Sequence, residues 1–485
     1  MLFNSLHFLL FFVLVTWLYF TIPKKFRWVL LLSSSCYFYM AFVPVYILIL
    51  GFTIVIDYFA GIYIEKSIGK NRKFFLVLSL IANIGVLAVF KYYNFINSNL
   101  TFIFDKIGLI NQLPYLSILL PIGLSFHTFQ AMSYTIEVYR GNQKAEKHFG
   151  IYSLYVMFYP QLVAGPIERP QNIIHQLKEY FDFDYDRVTD GLRLMGWGLF
   201  KKIIIADRLA IIVDSVYDNP HQYNFISISI ATIFFSFQIY CDFSGYSDMA
   251  IGAARVMGFN LMKNFNSPYQ SKSISEFWSR WHISLSTWFR DYLYIPLGGN
   301  RVAISRWYFN LFVVFLLSGL WHGANWTYIM WGAIHGFYLV FGIITNKIRI
   351  KIGDKLLINK LAFLPYLSTF LLVSIAWIFF RANSIETGFF LIKKIFQGFP
   401  EFFTGNFYHN FNFEQIGNAG KFEIAFCFLL IIFLEGIQYL ASRYNLKSIF
   451  KNQSIYLRWA VYYGVIFIMI YFGVFENRQF IYFQF

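Results

Sequence analysis

The sequence predicts an all-α integral membrane protein. Its 485 residues are 58% hydrophobic and 22% aromatic, and only 13% are charged, whereas soluble domains average about 25% charged residues. Apolar stretches long enough to cross a hydrocarbon layer of about 30 Å as helices recur along the chain. We therefore expect one membrane domain over residues 1–485, with about 11 to 13 spanning or re-entrant helices.

Basic links between the apolar segments predict the topology. The main apolar segments are expected at 5–22, 28–42, 45–64, 74–96, 113–138, 226–247, 360–380, 422–442 and 456–475. The links at 24–27, 65–73 and 140–147 are basic, and each follows an odd-numbered segment. Because cytoplasmic loops are enriched in lysine and arginine, the three links belong on the cytoplasmic side. Both termini, including the tail 476–485, are then extracytoplasmic, and the first helix is retained rather than cleaved.

The net charge of +15 does not indicate nucleic-acid binding, because the cations concentrate in these short links. The three cysteines lie far apart in apolar surroundings, so neither a disulfide framework nor zinc-ligand spacing is present. Membrane lipid is the expected surrounding, with no nucleic-acid partner and no bound metal.

Several stretches depart from simple spanning helices. Residues 159–170 contain three prolines and a glycine, so they cannot form one helix and are expected to be re-entrant or interfacial. The aspartates between 182 and 190 are typical of a solvated loop and helix start. Residues 275–292 combine tryptophans with arginines, which favours one amphipathic helix at the membrane interface. Two further stretches, the basic 346–355 and the region 383–420, are expected to be a loop and irregular structure.

His322 is the central functional candidate. It lies between the apolar runs 311–317 and 328–344, and an ionisable side chain at membrane depth is a functional candidate by default. A neutral imidazole can exchange protons near neutral pH, which suits general acid–base catalysis. A core histidine bonded to a neighbouring helix is the alternative, and position alone leaves both open.

Other polar residues could assist His322. Asn325, three residues later, would share its helix face and could orient the ring. Gln238, Asp242 and Ser244 lie in the span 226–247, where they would either line a channel or bond neighbouring helices. The third buried histidine, after His282 and His322, is His335, but no pair has the spacing of a helical metal site.

These residues admit functions of different classes. Buried histidines and carboxylates can form the relay of a proton-coupled or ion-coupled transporter, although no paired halves are visible. They also fit a transferase that holds a donor on one side and an acceptor on the other, with His322 as general base. A scaffold for an extracytoplasmic acyltransferase is the third class, for which His322→Ala would leave acylation intact.

Several motifs in order resemble the membrane-bound O-acyltransferase (MBOAT) family, in the branch with alginate and peptidoglycan O-acetyltransferases and teichoic-acid D-alanylation proteins. The resemblance covers nearly the whole chain and is densest over 120–340. It rests on Gln161-x-x-Ala164-Gly165-Pro166-Ile167, on Asp242-Phe243-Ser244-Gly245-Tyr246-Ser247-Asp248, on Phe277-Trp278-x-Arg280-Trp281-His282-Ile283-Ser284-Leu285-Ser286 and on Gly319-Leu320-Trp321-His322-Gly323.

The resemblance implies helices around a central channel in a bacterial inner membrane. It also implies acyl transfer, with acetyl as the expected group, from a cytoplasmic thioester to an extracytoplasmic polysaccharide through an SGNH-type acyltransferase partner. The donor would be acetyl-CoA, another acyl-CoA or an acyl carrier protein, and no cofactor is bound.

The same resemblance implies roles for single residues. His322 becomes the catalytic base, and His282 supports it at the cytoplasmic donor entrance or in folding. The substrate channel is expected to be lined by Gln238, Asp242, Ser244, Trp281 and Asn325. His127 stands where relatives carry an aromatic residue and is interpreted as structural.

The C-terminal tail is the last candidate element. Four of its last six residues are aromatic, which indicates interfacial anchoring or a binding segment. By resemblance, Tyr482 is an acyl relay that takes the acyl group in the channel and passes it to the partner. A phenol is a weak nucleophile at neutral pH, so this role requires a base such as His322 beside it.

Overall fold

The computed structural model describes residues 1–117, 120–163, 165–355, 361–400, 419–475, 478 and 480–483. Within these residues the chain forms helices and no strands, as the composition predicts. The helices before residue 220 are α1 Leu6–Thr21, α2 Arg27–Met40, α3 Ile47–Lys66, α4 Lys70–Leu87, α5 Tyr93–Lys106, α6 Leu124–Arg140, α7 Phe149–Met157, α8 Tyr159–Leu162, α9 Pro170–Lys178, α10 Tyr185–Phe200 and α11 Asp207–Asp218.

The second half of the chain contains the longest helix and the tail. Its helices are α12 Phe225–Met257, α13 Ile274–Arg280, α14 Ile283–Phe289, α15 Ile304–His322, α16 Trp326–Ile344, α17 Asn346–Lys355, α18 Leu364–Arg381, α19 Ile385–Gly398, α20 Lys421–Arg443, α21 Leu446–Lys451 and α22 Ile455–Phe472. Three π-helical segments are Ala88–Tyr92, Lys201–Ala206 and Arg290–Tyr294, and a 3₁₀ turn spans Ile481–Phe483.

Eight helices of the described residues are long and apolar enough to cross a membrane, which makes this a multi-pass membrane protein. They are Pro44–Lys66, Lys70–Lys106, Phe225–Met257, Ile304–His322, Trp326–Ile344, Leu364–Arg381, Lys421–Arg443 and Ile455–Phe472. The apolar α1 is shorter. The helix bounds confirm most of the expected segments to within a few residues.

Helix α12 is the centre of the fold. Of its most apolar stretch of 18 residues, 72% are buried inside the protein, whereas 0% of the corresponding stretch of α22 are buried. Two pairs of glycines bring α12 against α10, Gly198 opposite Gly245 and Gly191 opposite Gly252. A methyl group added to Gly198 would lie 2.5 Å from the carbonyl oxygen of Gly245, so only glycine permits this approach of the two backbones.

Three expectations about secondary structure are wrong. The span expected at 113–138 begins only at Leu124, because two prolines and Gly123, with φ 76°, precede the helix. The stretch 383–420 was expected to be irregular, yet Ser384 caps α19; residues 401–418 lie outside the described residues. The basic link 346–355 is helical (α17) rather than a loop.

The prediction of a single interfacial helix over 275–292 is also wrong. The segment consists of α13 and α14, separated at Trp281 and His282, where His282 has φ 43°. Its tryptophans are buried rather than placed at an interface, including Trp288, whose indole donates to the carbonyl of Phe129. Because of this break, residues that were expected at the surface lie in the protein core.

The interruption expected at 159–170 is confirmed. Helix α8 is a single turn, and α9 begins with Pro170 at its first position, where the missing N–H costs no hydrogen bond. Both Tyr159 and Ile167 are buried, so protein covers this irregular backbone. Asp184 caps α10, as the acidic helix start predicted.

The glycine contact between α10 and α12 can be tested with Gly198→Ala. We expect a loss of about 1–3 kcal/mol of stability, because the added methyl overlaps the backbone of α12. The matched control is Gly196→Ala on the same helix, where a methyl meets no atom within 4 Å. Thermal unfolding in detergent, followed by size-exclusion chromatography, measures both. Equal melting temperatures for the two variants would contradict this packing.

Candidate active site

His322 is the last residue of α15, at the turn of a tight helical hairpin. The helix ends there because Gly323 is extended, with φ −159°. Helices α15 and α16 approach closely at Gly319, where a methyl group would lie 2.2 Å from the carbonyl oxygen of Tyr328 and 3.3 Å from Cα of Gly332. The hairpin is therefore tightly packed at these two glycines, and His322 at its turn is buried inside the protein.

Aromatic rings surround the imidazole of His322. The ring centroids of Trp321 and Trp331 lie 5.0 Å away, that of Phe380 5.4 Å and that of Tyr482 5.6 Å. Within the described part of the chain, Nδ1 of His322 is buried without a hydrogen-bond partner. The histidine therefore is not a core residue satisfied at both nitrogens.

The tail brings Tyr482 into this cluster. Its ring lies 4.4 Å from that of Phe243 and 6.5 Å from that of His282, in addition to the contact with His322. Tyr482 and His322 also line one small cavity of about 30 Å³. That volume admits a molecule or group of about the size of water.

Lys91 is a polar neighbour that sequence reasoning missed. Its ammonium group donates to the carbonyl oxygens of Trp321 (2.7 Å) and His322 (3.0 Å) and to Oγ of Ser125 (3.4 Å), and it lines the same cavity. The side chain of Lys91 thus caps the C-terminal end of α15, where a cation interacts favourably with the helix dipole. The available signal was a lone lysine within the apolar segment 74–96.

His282 lies beside His322 and Tyr482, and no part of its side chain is exposed. Its Nδ1 is 3.0 Å from Oδ1 of Asn264, and its ring centroid is 6.2 Å from that of Trp321. The structure thus shows it in the buried aromatic cluster and not at an open entrance. Asn264, which fixes the ring orientation, was not identified from the sequence.

The polar residues of α12 bond neighbouring helices. Oγ of Ser244 accepts from Lys201 at 2.8 Å. Asp242 forms an ion pair with Lys202 at 2.8 Å and accepts the backbone N–H of Ile481 at 2.9 Å. These contacts match the helix-bonding alternative, and the link from Asp242 to the tail was not foreseen.

Gln238 and Trp281 are both buried. The indole of Trp281 packs against Trp377 at 5.0 Å and against Phe265 at 5.2 Å. His335 is also buried, and its Nδ1 accepts from the indole of Trp278 at 3.2 Å. Its Nε2 is buried without a hydrogen-bond partner among the described residues.

The expectation that Asn325 shares a helix face with His322 and orients its ring is wrong. Because α15 ends at His322, the two residues do not share a helix face. Asn325 is exposed and caps the following helix, where its side chain accepts from the N–H of Thr327 at 3.0 Å. It does not orient the imidazole of His322.

A second cavity lies among α13–α16 and α18. It measures about 1340 Å³, and its wall is mainly apolar. Ser318, one helical turn before His322, lines its inner part, while Arg290 and Arg349 contribute guanidinium groups to its lining. A long ligand with an apolar part and an anionic end matches this lining.

Comparison with known proteins gives the family. The model of the MBOAT, membrane-bound O-acyltransferase family matches residues 143–380. A probable alginate O-acetylase of Pseudomonas aeruginosa is 39% identical over 384 residues, which cover 78% of this chain and 72% of that protein. A peptidoglycan O-acetyltransferase of Helicobacter pylori is 36% identical over 394 residues, or 75% and 72% of the two chains.

A more distant relative is a teichoic acid D-alanyltransferase of Bacillus subtilis, 31% identical over 227 residues that cover 44% of this chain and 56% of that protein. The matched region includes α12, the buried His282 and the hairpin that carries His322. The chain belongs to the membrane-bound O-acyltransferase family and is a multi-pass membrane O-acyltransferase.

Proposed function

We propose that this enzyme moves an acyl group, with acetyl as the favoured group, from a cytoplasmic thioester to Tyr482, with His322 as the general base. The observation that carries the proposal is the buried contact between the two rings, 5.6 Å between centroids, beside one small cavity. A phenol needs a neighbouring base to act as a nucleophile, and the proximity of the His322 imidazole supports that role.

The chemical step can be written in full. The phenolic oxygen of Tyr482 attacks the thioester carbonyl while His322 accepts the phenolic proton. The tetrahedral intermediate collapses, the C–S bond breaks, and the thiolate leaves with the proton that the imidazolium returns. The products are a tyrosyl ester and a free thiol. A second transfer then passes the acyl group to an extracytoplasmic hydroxyl and restores the phenol.

The two cavities are lined by different residues, and we assign the donor to the larger one and the reacting groups to the smaller one, which His322 and Tyr482 line. The larger cavity is bordered by the start of the basic α17, which the charge pattern assigns to the cytoplasm. An acyl-CoA or a phosphopantetheine thioester has the anionic group and the long arm that its lining fits. His282, held by Asn264, would support the orientation of the reacting groups.

The acceptor is proposed from the relatives. Because two of them are named for alginate and peptidoglycan acetylation, we propose a polysaccharide of the bacterial envelope as the final acceptor. The enzyme would then reside in the inner membrane with both termini outside, and an SGNH-type extracytoplasmic acyltransferase would receive the acyl group from Tyr482.

The relay is tested by incubating membranes with labelled acetyl-CoA and measuring a hydroxylamine-labile adduct. We expect label on the C-terminal peptide, a loss of about 100-fold or more in His322→Ala, and no label on that peptide in Tyr482→Phe. The controls are His175→Ala and Tyr471→Phe, which change exposed residues. Label that persists in Tyr482→Phe would exclude the relay but keep the transferase.

Lys91→Met tests the cation beside the reacting groups. We expect a roughly tenfold lower rate of transfer, because a charge at a helix C-terminus contributes up to about 2 kcal/mol and the carbonyls of Trp321 and His322 lose their donor. Lys106→Met, an exposed lysine at the end of the same long helix, is the control. A wild-type rate for Lys91→Met would show that the lysine only fills space.

A further inference from the structure

The position of Tyr482 requires an explanation, because the helix before it is loosely packed. Helix α22 ends at Phe472 and has no buried residue. A helix that contacts the body so little cannot by itself hold the following chain in the protein core. Yet Phe480 and Ile481 are buried, and Tyr482 contacts His322. Contacts after α22 must therefore fix the tail.

Among the described residues, four polar contacts connect the last residue of α22 and the chain after it to the rest of the protein. The carbonyl of Phe472 accepts from Arg208, the N–H of Val474 donates to the carbonyl of Ile203 at 3.0 Å, and Arg478 pairs with Asp214 at 2.8 Å. The fourth is the N–H of Ile481, which donates to Oδ2 of Asp242. This last contact is immediately next to Tyr482 and is the only one of the four made by α12.

A buried ion cluster holds Asp242 in place. Nζ of Lys202 lies 2.8 Å from Oδ1 of Asp207 and 2.8 Å from Oδ1 of Asp242, with side chains only 1%, 3% and 5% exposed. Charges this deep persist only when they are paired and hydrogen-bonded. One ammonium group faces two carboxylates, so the second oxygen of Asp242 remains able to accept the N–H of Ile481.

The π-helical segment Lys201–Ala206 carries the two lysines that contact α12. Lys201 does so through Ser244 and Asp248, and Lys202 through Asp242. Single π-helical turns of this kind occur frequently at functional sites of proteins.

We propose that Lys202, Asp207 and Asp242 form a tail anchor that positions Tyr482 against His322. Asp242 thus acts through the tail as a positioning residue and does not contact the substrate. The inference rests on the proposed relay role of Tyr482, but the position of the tail can be measured separately from transfer. In the anchored state the phenol stays at the base; without the anchor the tail leaves the core.

Asp242→Asn is the decisive variant. Asp242 uses one carboxylate oxygen for Lys202 and the other for the N–H of Ile481, and an asparagine replaces one of these two oxygens with an NH2 group that can only donate. It also leaves Lys202 paired with Asp207, so no buried charge loses its last partner. The matched control is Asp248→Asn, which neutralises the carboxylate that pairs with the neighbouring Lys201 and leaves an amide oxygen to accept from that lysine, which also donates to Ser244.

Two readouts are taken from each variant after size-exclusion chromatography confirms folding. The first is labelling by a membrane-impermeant maleimide of a thiol introduced by Tyr482→Cys, mapped by mass spectrometry to separate it from Cys36, Cys241 and Cys427. The second is transfer of labelled acetyl from acetyl-CoA in the background that retains Tyr482. We expect Asp242→Asn to expose position 482 and lower transfer about 100-fold, since small misplacements of reacting groups have effects of that size, while Asp248→Asn changes neither.

The outcomes separate the two hypotheses. If position 482 stays protected in Asp242→Asn, the tail anchor is wrong, whatever the transfer rate. If position 482 becomes reactive and transfer is unchanged, the anchor is supported and the relay role of Tyr482 is wrong. Exposure together with loss of transfer supports both. If Asp242→Asn does not fold, Ile481→Pro removes only the N–H that Asp242 accepts and leaves the ion cluster intact; unchanged protection of position 482 there would also overturn the anchor.

Discussion

The buried ammonium group of Lys202 is shared by two carboxylates, and the proposed position of the C-terminal tail depends on that arrangement. In an apolar core an ammonium or carboxylate group must be paired, so the positions of Lys202, Asp207 and Asp242 constrain one another. The same constraint fixes the second carboxylate oxygen of Asp242, which accepts the backbone N–H of Ile481 in the tail. A tyrosine far from the main motifs is thereby brought to the histidine at the end of α15.

Charged residues at the site lie at irregular points of the helices. The segment Ala88–Tyr92 carries Lys91, which bonds the carbonyls at the end of α15, and Lys201–Ala206 carries both lysines that contact α12. The third π-helical segment among the described residues, Arg290–Tyr294, places Asp291 within 3.3 Å of Arg169. Single π-helical turns are frequent at functional sites of proteins, and two of the three segments carry lysines that bond neighbouring helices beside His322 and the tail.

Sequence reasoning predicted the helical class and most spans, because long apolar runs are local signals, and it predicted the burial of His322 from its position between two apolar runs. It failed where the outcome depended on tertiary contacts. Asn325 was expected to share a face with His322, but the turn at Gly323 ended the helix between them. Trp278 and Trp281 matched an interfacial pattern, yet the break at His282 folds them into the core.

The tail shows the same limit for the site. Its aromatic residues indicated a binding segment, and the family resemblance suggested a role for Tyr482, but no local pattern links Ile481 to Asp242 more than two hundred residues earlier in the chain. Likewise, the glycines of α10 and α12 match only when both helices are already paired. Such long-range contacts decide which of the polar candidate residues lie close together in the folded protein.

Hydrogen exchange of the tail backbone in lipid nanodiscs tests the account most directly. The N–H of Ile481 is bonded to Asp242, and Phe480 and Ile481 are buried, so the C-terminal peptide should exchange its amides much more slowly than an unstructured peptide. We expect protection in the wild type comparable to that of the ends of α12, and its loss in Asp242→Asn. Exchange of the wild-type tail at the rate of a free peptide, while the helices remain protected, would contradict the claim that the tail is part of the active site.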